Sequence, residues 1–201
     1  MIGIIDYGLG NLTSVKNALD KLKVPNFISG DIEKLKATQG LILPGVGAAR
    51  TGMKNLISKG LDHFLIEEIE NGKPFLGTCL GMQLLFEYSE EGDTKCLGIL
   101  KGKVKKFTGE LKIPEMGWNN VKVLNSKSQL LKDIKDGSYF YFVNSYYCEP
   151  EEKSIISGTT DYGITFPSII EHNNIFATQF HSEKSGEIGL KLLENFTKGC
   201  Q

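Results

Sequence analysis

The sequence contains no pattern that would place its four cysteines in a disulfide or a zinc site. Cys79, Cys96, Cys148 and Cys200 form no CxxC pair, and the three histidines do not have the spacing of metal ligands. We therefore expect no disulfide, no metal and no cofactor. Each cysteine is then either a buried filler side chain or a reactive thiol, and without other information the first is the better interpretation.

The sequence also lacks any excess of charge of one sign. It has 23 basic and 24 acidic residues, for a formal net charge of −1, which gives no electrostatic basis for binding nucleic acid or an anionic membrane. No apolar run approaches the roughly 18 residues of a membrane-spanning helix. The first ten residues, "MIGIIDYGLG", lack the basic head and apolar core of a signal peptide. We expect a cytoplasmic protein.

The common phosphate-binding loops are missing as well. Gly8 and Gly10 begin a GxGxxG pattern, but its third glycine would fall on Thr13, and no GxxxxGK[ST] occurs. A tight turn between a strand and a helix explains these glycines better than a nucleotide site does.

The order of apolar segments predicts an α/β fold. Over about 90 residues, short apolar runs such as "IGIID", "GLILPG" and "PFLGTC" alternate with amphipathic segments such as "LTSVKNALDKL", "AARTGMKNLISKG" and "LGMQLLFEYSE". This alternation favours a mostly parallel sheet flanked by helices. After residue 98, short aromatic and β-branched segments predict antiparallel strands added to that sheet, and "SGEIGLKLLENFTK" predicts a final helix. No linker is visible, so we expect a single domain over residues 1–201.

The segment "GTCLG" has the form of a sharp turn from a strand into a helix that presents a nucleophile. Gly77 and Gly81 fit this geometry because side chains at those positions would collide with neighbouring elements. The turn would place the Cys79 thiol at a helix N-terminus, which favours the thiolate, and would direct the Leu80 backbone N–H toward a developing oxyanion. Taken alone, the pattern supports a functional and a chance interpretation about equally.

A reactive thiolate needs a base and a group that orients the base. His63 lies within a helical pattern and His172 in a hairpin turn, whereas His181 follows the strand "IFATQF" at an edge where active sites collect. Glu183 would point to the same side as His181 if the backbone stays extended. The alternative interpretation of "HSEKS" is a helix start capped by Ser182 or Ser185.

The segment "LPGVG" at 43–47 can expose consecutive N–H groups as an anion-binding nest. A rigid loop is the simpler interpretation when the segment is considered alone.

Together, "PGVG", "GTCLGMQLL" and "QFHSEKS", in this order and at these separations, resemble the class I glutamine amidotransferases. Within that class, "GLGN", "EMGWNNV" and "YFYFVNSYY" are similar to the glutaminase subunits of imidazole glycerol phosphate synthases, which act in histidine biosynthesis. The resemblance covers essentially the whole chain.

The resemblance implies a glutaminase with a Cys–His–Glu triad in a class I amidotransferase fold. Cys79 would be the nucleophile, His181 the general base and acid, and Glu183 the residue that orients it. The oxyanion hole would be formed at Val46, Gly47 and Leu80, and glutamine would be bound by Gly47, Gln83, Glu91, Ser145 and Tyr146.

Ammonia released to water becomes ammonium and loses its nucleophilicity, so a one-domain glutaminase is expected to have a partner that consumes it. The resemblance implies that this partner is a (β/α)8-barrel cyclase, docked on a face that includes Asn11, Trp118, Tyr141 and Lys184. Trp118 could also be an ordinary core residue.

Three positions depart from the family pattern: Glu115 and Asn144 stand where histidines are usual, and Ser182 stands where proline is usual. They leave open a paralogous glutaminase that supplies ammonia to another synthase, such as one making an amino or amidino sugar for surface polysaccharide. Two further alternatives are a peptidase or stress-response thiol protein, and a non-catalytic regulatory subunit. The glutamine-site residues and the intact triad argue against both.

Overall fold

The computed structural model describes residues 1–109 and 112–200. Its strands are β1 (Ile2–Ile5), β2 (Asn26–Ser29), β3 (Gly40–Gly45), β4 (Phe75–Cys79), β5 (Phe86–Ser89), β6 (Thr94–Lys95), β7 (Leu100–Lys106), β8 (Glu115–Val123), β9 (Ser138–Asn144), β10 (Tyr146–Pro150), β11 (Ile156–Asp161), β12 (Thr165–His172) and β13 (Ile175–Thr178). The helices are α1 (Leu12–Lys21), α2 (Ile32–Lys36), α3 (Ala49–Ser58), α4 (Leu61–Glu70), α5 (Leu80–Gln83) and α6 (Gly186–Gly199). None of these helices is long and apolar enough to cross a membrane.

The main sheet has nine strands in the order β2-β1-β3-β4-β13-β12-β11-β8-β9. The first five are mutually parallel, and the remaining pairs are antiparallel. This confirms the predicted α/β fold with a mixed sheet. Strands β1, β3, β4 and β13 are buried along their whole length, which explains why each is a continuous apolar run rather than an alternating one.

Two apolar clusters fill the two faces of the main sheet. Leu56 of α3 and Phe64 of α4 belong to one cluster. Leu19 of α1 and Leu192 of α6 belong to the other, together with Phe180. Each of these four helices therefore places its apolar stripe on the sheet and leaves its polar stripe to solvent.

The added antiparallel strands are confirmed for β8, β9, β11 and β12, but two details of the fold prediction were wrong. The segment "LGMQLLFEYSE" is helical only over Leu80–Gln83, because the chain then turns into β5, where Phe86 pairs with Leu100 of β7. Strands β7 and β10 do not join the main sheet but form a second sheet in the order β10-β7-β5-β6. The run Leu84, Leu85 and Phe86 is completely buried, and such a run fits a helix or a strand equally well.

The chain passes from one sheet to the other at Ser145, between β9 and β10. Its carbonyl accepts a hydrogen bond from the N–H of Phe107, just beyond β7, at 3.1 Å. The aromatic segment "SYFYFVNSYY" is one of those that predicted antiparallel strands, but its pattern does not indicate this break. The crossing places residues 144–146 beside the C-terminal end of β4.

Close backbone packing around the end of β4 explains the glycines of "GTCLG". A Cβ on Gly77 would lie 2.7 Å from the Gly81 carbonyl oxygen, and a Cβ on Gly81 would overlap the carbonyl oxygen of Leu43 in β3. Gly45 is equally confined, since its Cβ would lie 2.6 Å from that of Leu80. The turn after β4 can therefore form only if these positions have no side chain.

We expect Gly81→Ala to destabilise the fold by at least ~2 kcal/mol, because the added methyl group meets rigid backbone. Gly52→Ala in α3 is the matched control: its Cβ would lie 3.1 Å from the movable tip of Leu84, and alanine favours a helix by up to about 1 kcal/mol. Denaturant unfolding measures both. Equal stability of the two variants would contradict the packing argument.

Candidate active site

Cys79 ends β4 in a backbone conformation that a residue with a side chain seldom adopts, with φ 53° and ψ −111°. Such strain persists only where the surroundings impose it, and it is frequent at functional sites. A single helical turn, α5, follows directly. The side chain is 7% exposed, so the thiol lies in the wall of a cavity rather than on the open surface. This is the turn that "GTCLG" predicted.

His181 reaches Cys79 because β13 lies beside β4 in parallel register, with Thr178 opposite Thr78. The imidazole is 3% exposed, and its Nδ1 lies 2.9 Å from Oε1 of Glu183. Glu183 lies in a 3-10 turn over Ser182–Lys184, so the extended backbone assumed in the sequence argument is wrong although the two side chains do meet. The turn curls Glu183 back toward the ring.

Ser185 does not cap α6, so the helix-start interpretation of "HSEKS" is wrong for its side chain. Its hydroxyl donates to the His181 carbonyl at 2.6 Å and accepts from the Tyr141 N–H of β9 at 3.0 Å. The His181 N–H donates in turn to the Tyr141 carbonyl at 2.9 Å. Strand β9 is thus fastened to the backbone that carries the imidazole.

The surroundings of His181 favour its protonated form. Burial lowers its pKa, but hydrogen bonds and charge interactions with Cys79 and Glu183 outweigh burial and raise the pKa from 6.5 to about 10. The imidazolium form of His181 is therefore favoured at neutral pH. The protonated ring provides a proton donor beside the Cys79 sulfur.

The Cys79 sulfur has two further polar neighbours. The Val143 carbonyl oxygen lies 3.8 Å away, and Nε2 of Gln179 lies 3.7 Å away as a donor to the sulfur. The Gln179 Oε1 accepts a hydrogen bond from Nε2 of Gln83 at 3.1 Å. Sequence reasoning assigned no role to Gln179, although it lies within "QFHSEKS", because an amide directed inward from a strand end cannot be distinguished from an ordinary buried glutamine.

A cavity of about 270 Å³ opens over Cys79 and His181. Its wall includes the residues predicted for the oxyanion hole, Val46, Gly47 and Leu80, and those predicted for glutamine, Gln83, Glu91, Ser145 and Tyr146. Lys184 also lines it, as do three residues to which the sequence argument gave no role in the site, Pro114, Val143 and Asn144. Every residue predicted for the triad, the oxyanion hole or glutamine binding therefore lines one cavity, except Glu183, which lies behind the imidazole.

The lining of the cavity includes the carboxylate of Glu91 and the ammonium group of Lys184. Oε2 of Glu91 accepts a hydrogen bond from the Ala49 N–H at the start of α3 at 2.7 Å, which holds the acid in place and compensates for the absence of a capping side chain there. Lys184 supplies the positive charge. A free amino acid, with its own ammonium and carboxylate, has complementary charges.

The residues predicted to face a partner lie near this cavity. Trp118 is 56% exposed, which excludes the core interpretation, and its ring meets that of Tyr141 edge-on at 6.1 Å. The Lys184 Nζ lies 6.0 Å from the centre of the Tyr141 ring. Asn11 precedes α1, which packs against the turn that contains Lys184. These four residues therefore lie around one end of the main sheet.

The other cysteines and histidines do not join the site. Burial raises the pKa of Cys96 and Cys200 to about 12, and Cys148 is also buried. His63 is exposed on α4, and His172 ends β12. Across residues 1–109 and 112–200, no cluster of three histidine, cysteine or acidic side chains is arranged to hold a metal ion.

A family model described as glutamine amidotransferase class-I matches residues 3–200. Among curated proteins, "Imidazole glycerol phosphate synthase subunit HisH" of Desulfitobacterium hafniense (strain DSM 10664 / DCB-2) is 51% identical over 98% of this chain and 94% of its own length. The protein of the same name from Methanocaldococcus jannaschii is 50% identical over 98% of this chain and 99% of its own length.

Among solved structures, one titled "Crystal structure of glutamine amidotransferase" has a TM-score of 0.77 at 19% identity and covers 99% of this chain and 98% of its own. "Structure of PurLQS from Thermotoga maritima" has a TM-score of 0.78 at 17% identity, with 100% and 98% covered. At these identities the structures support the fold alone.

We expect Cys79→Ala to lower the pKa of His181, because burial is then opposed by Glu183 alone. NMR of the imidazole nitrogens during a pH titration measures this value. The exposed His63 ring is an internal reference, since its signal should be the same in both proteins. An unchanged His181 titration would show that sulfur and imidazole do not interact.

Proposed function

This chain belongs to the class I glutamine amidotransferase family, and on that premise we propose that it is the glutaminase subunit of an imidazole glycerol phosphate synthase. The observation that carries the proposal is that Cys79 and His181 line one cavity, with the Glu183 carboxylate 2.9 Å behind the imidazole. Curated relatives of that name match about half of the residues over nearly the whole chain.

In the proposed reaction, the Cys79 thiolate attacks the side-chain amide carbon of glutamine. The protonated imidazole of His181 donates its proton to the leaving ammonia, and a glutamyl thioester remains on the sulfur. The neutral imidazole then takes a proton from water, which hydrolyses the thioester and releases glutamate. Glu183 stabilises the imidazolium and fixes the ring, so that the same nitrogen serves both steps.

The tetrahedral intermediates place negative charge on the former amide oxygen. We assign the Leu80 N–H and the backbone at Val46 and Gly47 to this charge, since all three residues line the cavity beside Cys79. Gly47 has φ 105°, a conformation that glycine adopts without strain. One such donor is worth about 3 kcal/mol in acyl transfer.

Substrate glutamine is proposed to lie with its amide at Cys79 and its amino-acid end toward the rim. Glu91 would pair with the α-ammonium group, while Gln83, Ser145 and Tyr146 would hold the remainder of the substrate with Gly47. The wall positions of these side chains support the assignment. The fixed carboxylate of Glu91 favours a free amino acid over a glutamine within a peptide, whose nitrogen is uncharged, and thus argues against a peptidase.

A second subunit is proposed to dock on the exposed face of β8 and β9 and to consume the ammonia. Met116 and Trp118 of β8, with Tyr139 of β9, are exposed on this face, and we call them with Tyr141 the docking face. Exposed aromatic groups beside polar residues are typical of protein interfaces. We propose a (β/α)8-barrel cyclase as this subunit, with Asn11 and Lys184 at the edge of the contact.

The docking face is coupled to the site through the backbone of β9. Its Tyr141 carbonyl binds the N–H of His181, and its Val143 carbonyl is a neighbour of the Cys79 sulfur. A partner that shifts β9 would therefore change the environment of both catalytic groups. This supports a glutaminase that responds to its partner.

The paralogous sugar pathway gains no support from Glu115 and Asn144. Both residues belong to the two strands that carry the docking face, but their side chains are buried on the opposite face of β8 and β9. They leave the docking face unchanged, so an altered choice of partner is not favoured.

We expect Cys79→Ala to reduce glutamine-dependent synthesis of imidazole glycerol phosphate by the complex more than about 10⁴-fold, because no thioester can form. Synthesis from ammonium salts should persist, since the acceptor site belongs to the partner. Steady-state rates with each nitrogen source measure both activities. Equal loss of both would contradict this division of labour.

We expect Trp118→Ala to weaken binding to the cyclase by tenfold or more, as about 1.4 kcal/mol or greater is typical for a buried interfacial tryptophan. Ile57→Ala is the matched control, because Ile57 of α3 is 57% exposed away from this face. Calorimetric titration measures both. Equal affinities for the two variants would place the partner elsewhere.

A further inference from the structure

The proposed function makes no use of a buried carboxyl group beside the cavity. Glu115 is 3% exposed and Asn144 is 5% exposed, and the two residues pair directly across β8 and β9 on the side away from the docking face. Side chains at directly paired positions have Cβ atoms about 4.5–5.5 Å apart. Asn144 also lines the cavity.

Each of these side chains has one oxygen atom without a hydrogen-bond partner among the described residues. Oε1 of Glu115 accepts from Nδ2 of Asn119 at 2.8 Å, but Oε2 has no donor. Nδ2 of Asn144 donates to the Tyr146 carbonyl at 3.1 Å, but Oδ1 has no donor. Buried polar atoms are rarely left unpaired, because each costs about 1–3 kcal/mol.

Turning the Asn144 amide over does not resolve this. Nδ2 would then face Glu115, but Oδ1 would oppose the Tyr146 carbonyl, which is an acceptor and already receives a bond from Nε2 of Gln83 at 3.3 Å. An ionised Glu115 can only accept hydrogen bonds, so Oε2 of Glu115 and Oδ1 of Asn144 would both stay unpaired. A proton on Oε2 makes that atom a donor, and one hydrogen bond to Oδ1 then satisfies both oxygens.

We propose that Glu115 is a neutral carboxylic acid that donates a hydrogen bond to Oδ1 of Asn144 and thereby acts as a positioning residue for the glutamine cavity. The role rests on the proposed function, whereas the protonation of Glu115 does not. The proton comes from solvent, and it is the same proton that a glutamate side chain carries at low pH.

The groups around Glu115 favour its neutral form. Burial raises its pKa, opposed by the hydrogen bond from Asn119 on its own strand. Strand β9 presents Asn144, and β11 presents the backbone carbonyl of Asp161, which accepts a hydrogen bond from Asn119. The carboxylate of Asp161 accepts hydrogen bonds from the Gly163 N–H and the Thr165 hydroxyl. Lys112, three residues before Glu115, is exposed. No cation among these groups stabilises an ionised carboxylate.

The pair acts on the cavity through the bend at Ser145. With Oδ1 held by Glu115, the Asn144 amide must direct Nδ2 to the Tyr146 carbonyl, where Gln83 also donates. These two bonds fix the crossing between the two sheets that presents Ser145 and Tyr146 to the cavity. Loss of the hydrogen bond between Glu115 and Asn144 would therefore weaken substrate binding and leave the geometry of Cys79 and His181 in place.

Infrared difference spectroscopy of the purified chain tests the protonation directly. Near neutral pH we expect the carbonyl stretch of a protonated carboxylic acid in the wild type and its disappearance in Glu115→Gln. The band should persist in Cys79→Ala, which makes it independent of catalysis. Absence of the band from the wild type, or its persistence in Glu115→Gln, would overturn the proposal and leave the proposed glutaminase function standing.

Kinetics of the complex test the positioning role. Glu115→Gln retains a neutral N–H donor and should keep the KM for glutamine within about threefold, whereas Glu115→Ala should raise KM about tenfold with little change in kcat. The wild-type KM should rise at alkaline pH as Glu115 ionises, and Glu115→Gln should lose that part of the rise. Equal KM values for the Gln and Ala variants would overturn the positioning role of Glu115. If Glu115→Ala does not fold, the pH dependence of KM in the wild type and in Glu115→Gln decides the question.

Discussion

The parallel pairing of β4 with β13 is the constraint on which the site depends. The pairing aligns Thr78 with Thr178, so Cys79 and the turn containing His181 emerge at the same edge, although about a hundred residues separate them in the sequence. The carboxyl ends of parallel strands are where α/β proteins collect their reactive groups. Hydrogen bonds then refine the alignment, with Glu183 behind the imidazole and Ser185 fastening the turn to β9. The chemistry follows from topology first and from local contacts second.

Strand β9 lies between the proposed docking face and the catalytic residues. Its exposed side chains form half of the docking face, its buried side contributes Phe140 and Phe142 to the core, and its backbone holds His181 and borders Cys79. At its end the chain crosses to the second sheet and frames the cavity. One or two hydrogen bonds of β9 therefore connect the proposed docking face to the reacting groups.

Much of this arrangement could be predicted from the sequence, and the failures have physical causes. The α/β fold was predictable because β1, β3 and β4 are buried on both faces and alternate with amphipathic helices. "GTCLG" could be interpreted because backbone packing at Gly77 and Gly81 allows no other residue. The end of α5 was missed because Leu84, Leu85 and Phe86 suit a helix and a strand alike. Without β5, nothing in the sequence indicated a second sheet. The turn geometry of Glu183 and the buried orientation of Glu115 depend on tertiary contacts that no local pattern records. The roles of the glutamine and interface residues stay predictions, although their positions agree with them.

The central claim is that the cavity activates one cysteine of four through His181. Mass spectrometry after treatment with an electrophilic analogue of glutamine tests it most directly, because the analogue must occupy the cavity and meet a thiolate. The account predicts one adduct, on Cys79, that forms far more slowly in His181→Ala and is suppressed by excess glutamine. Modification of Cys96, Cys148 or Cys200 at a comparable rate, or labelling of Cys79 that is indifferent to His181, would contradict it.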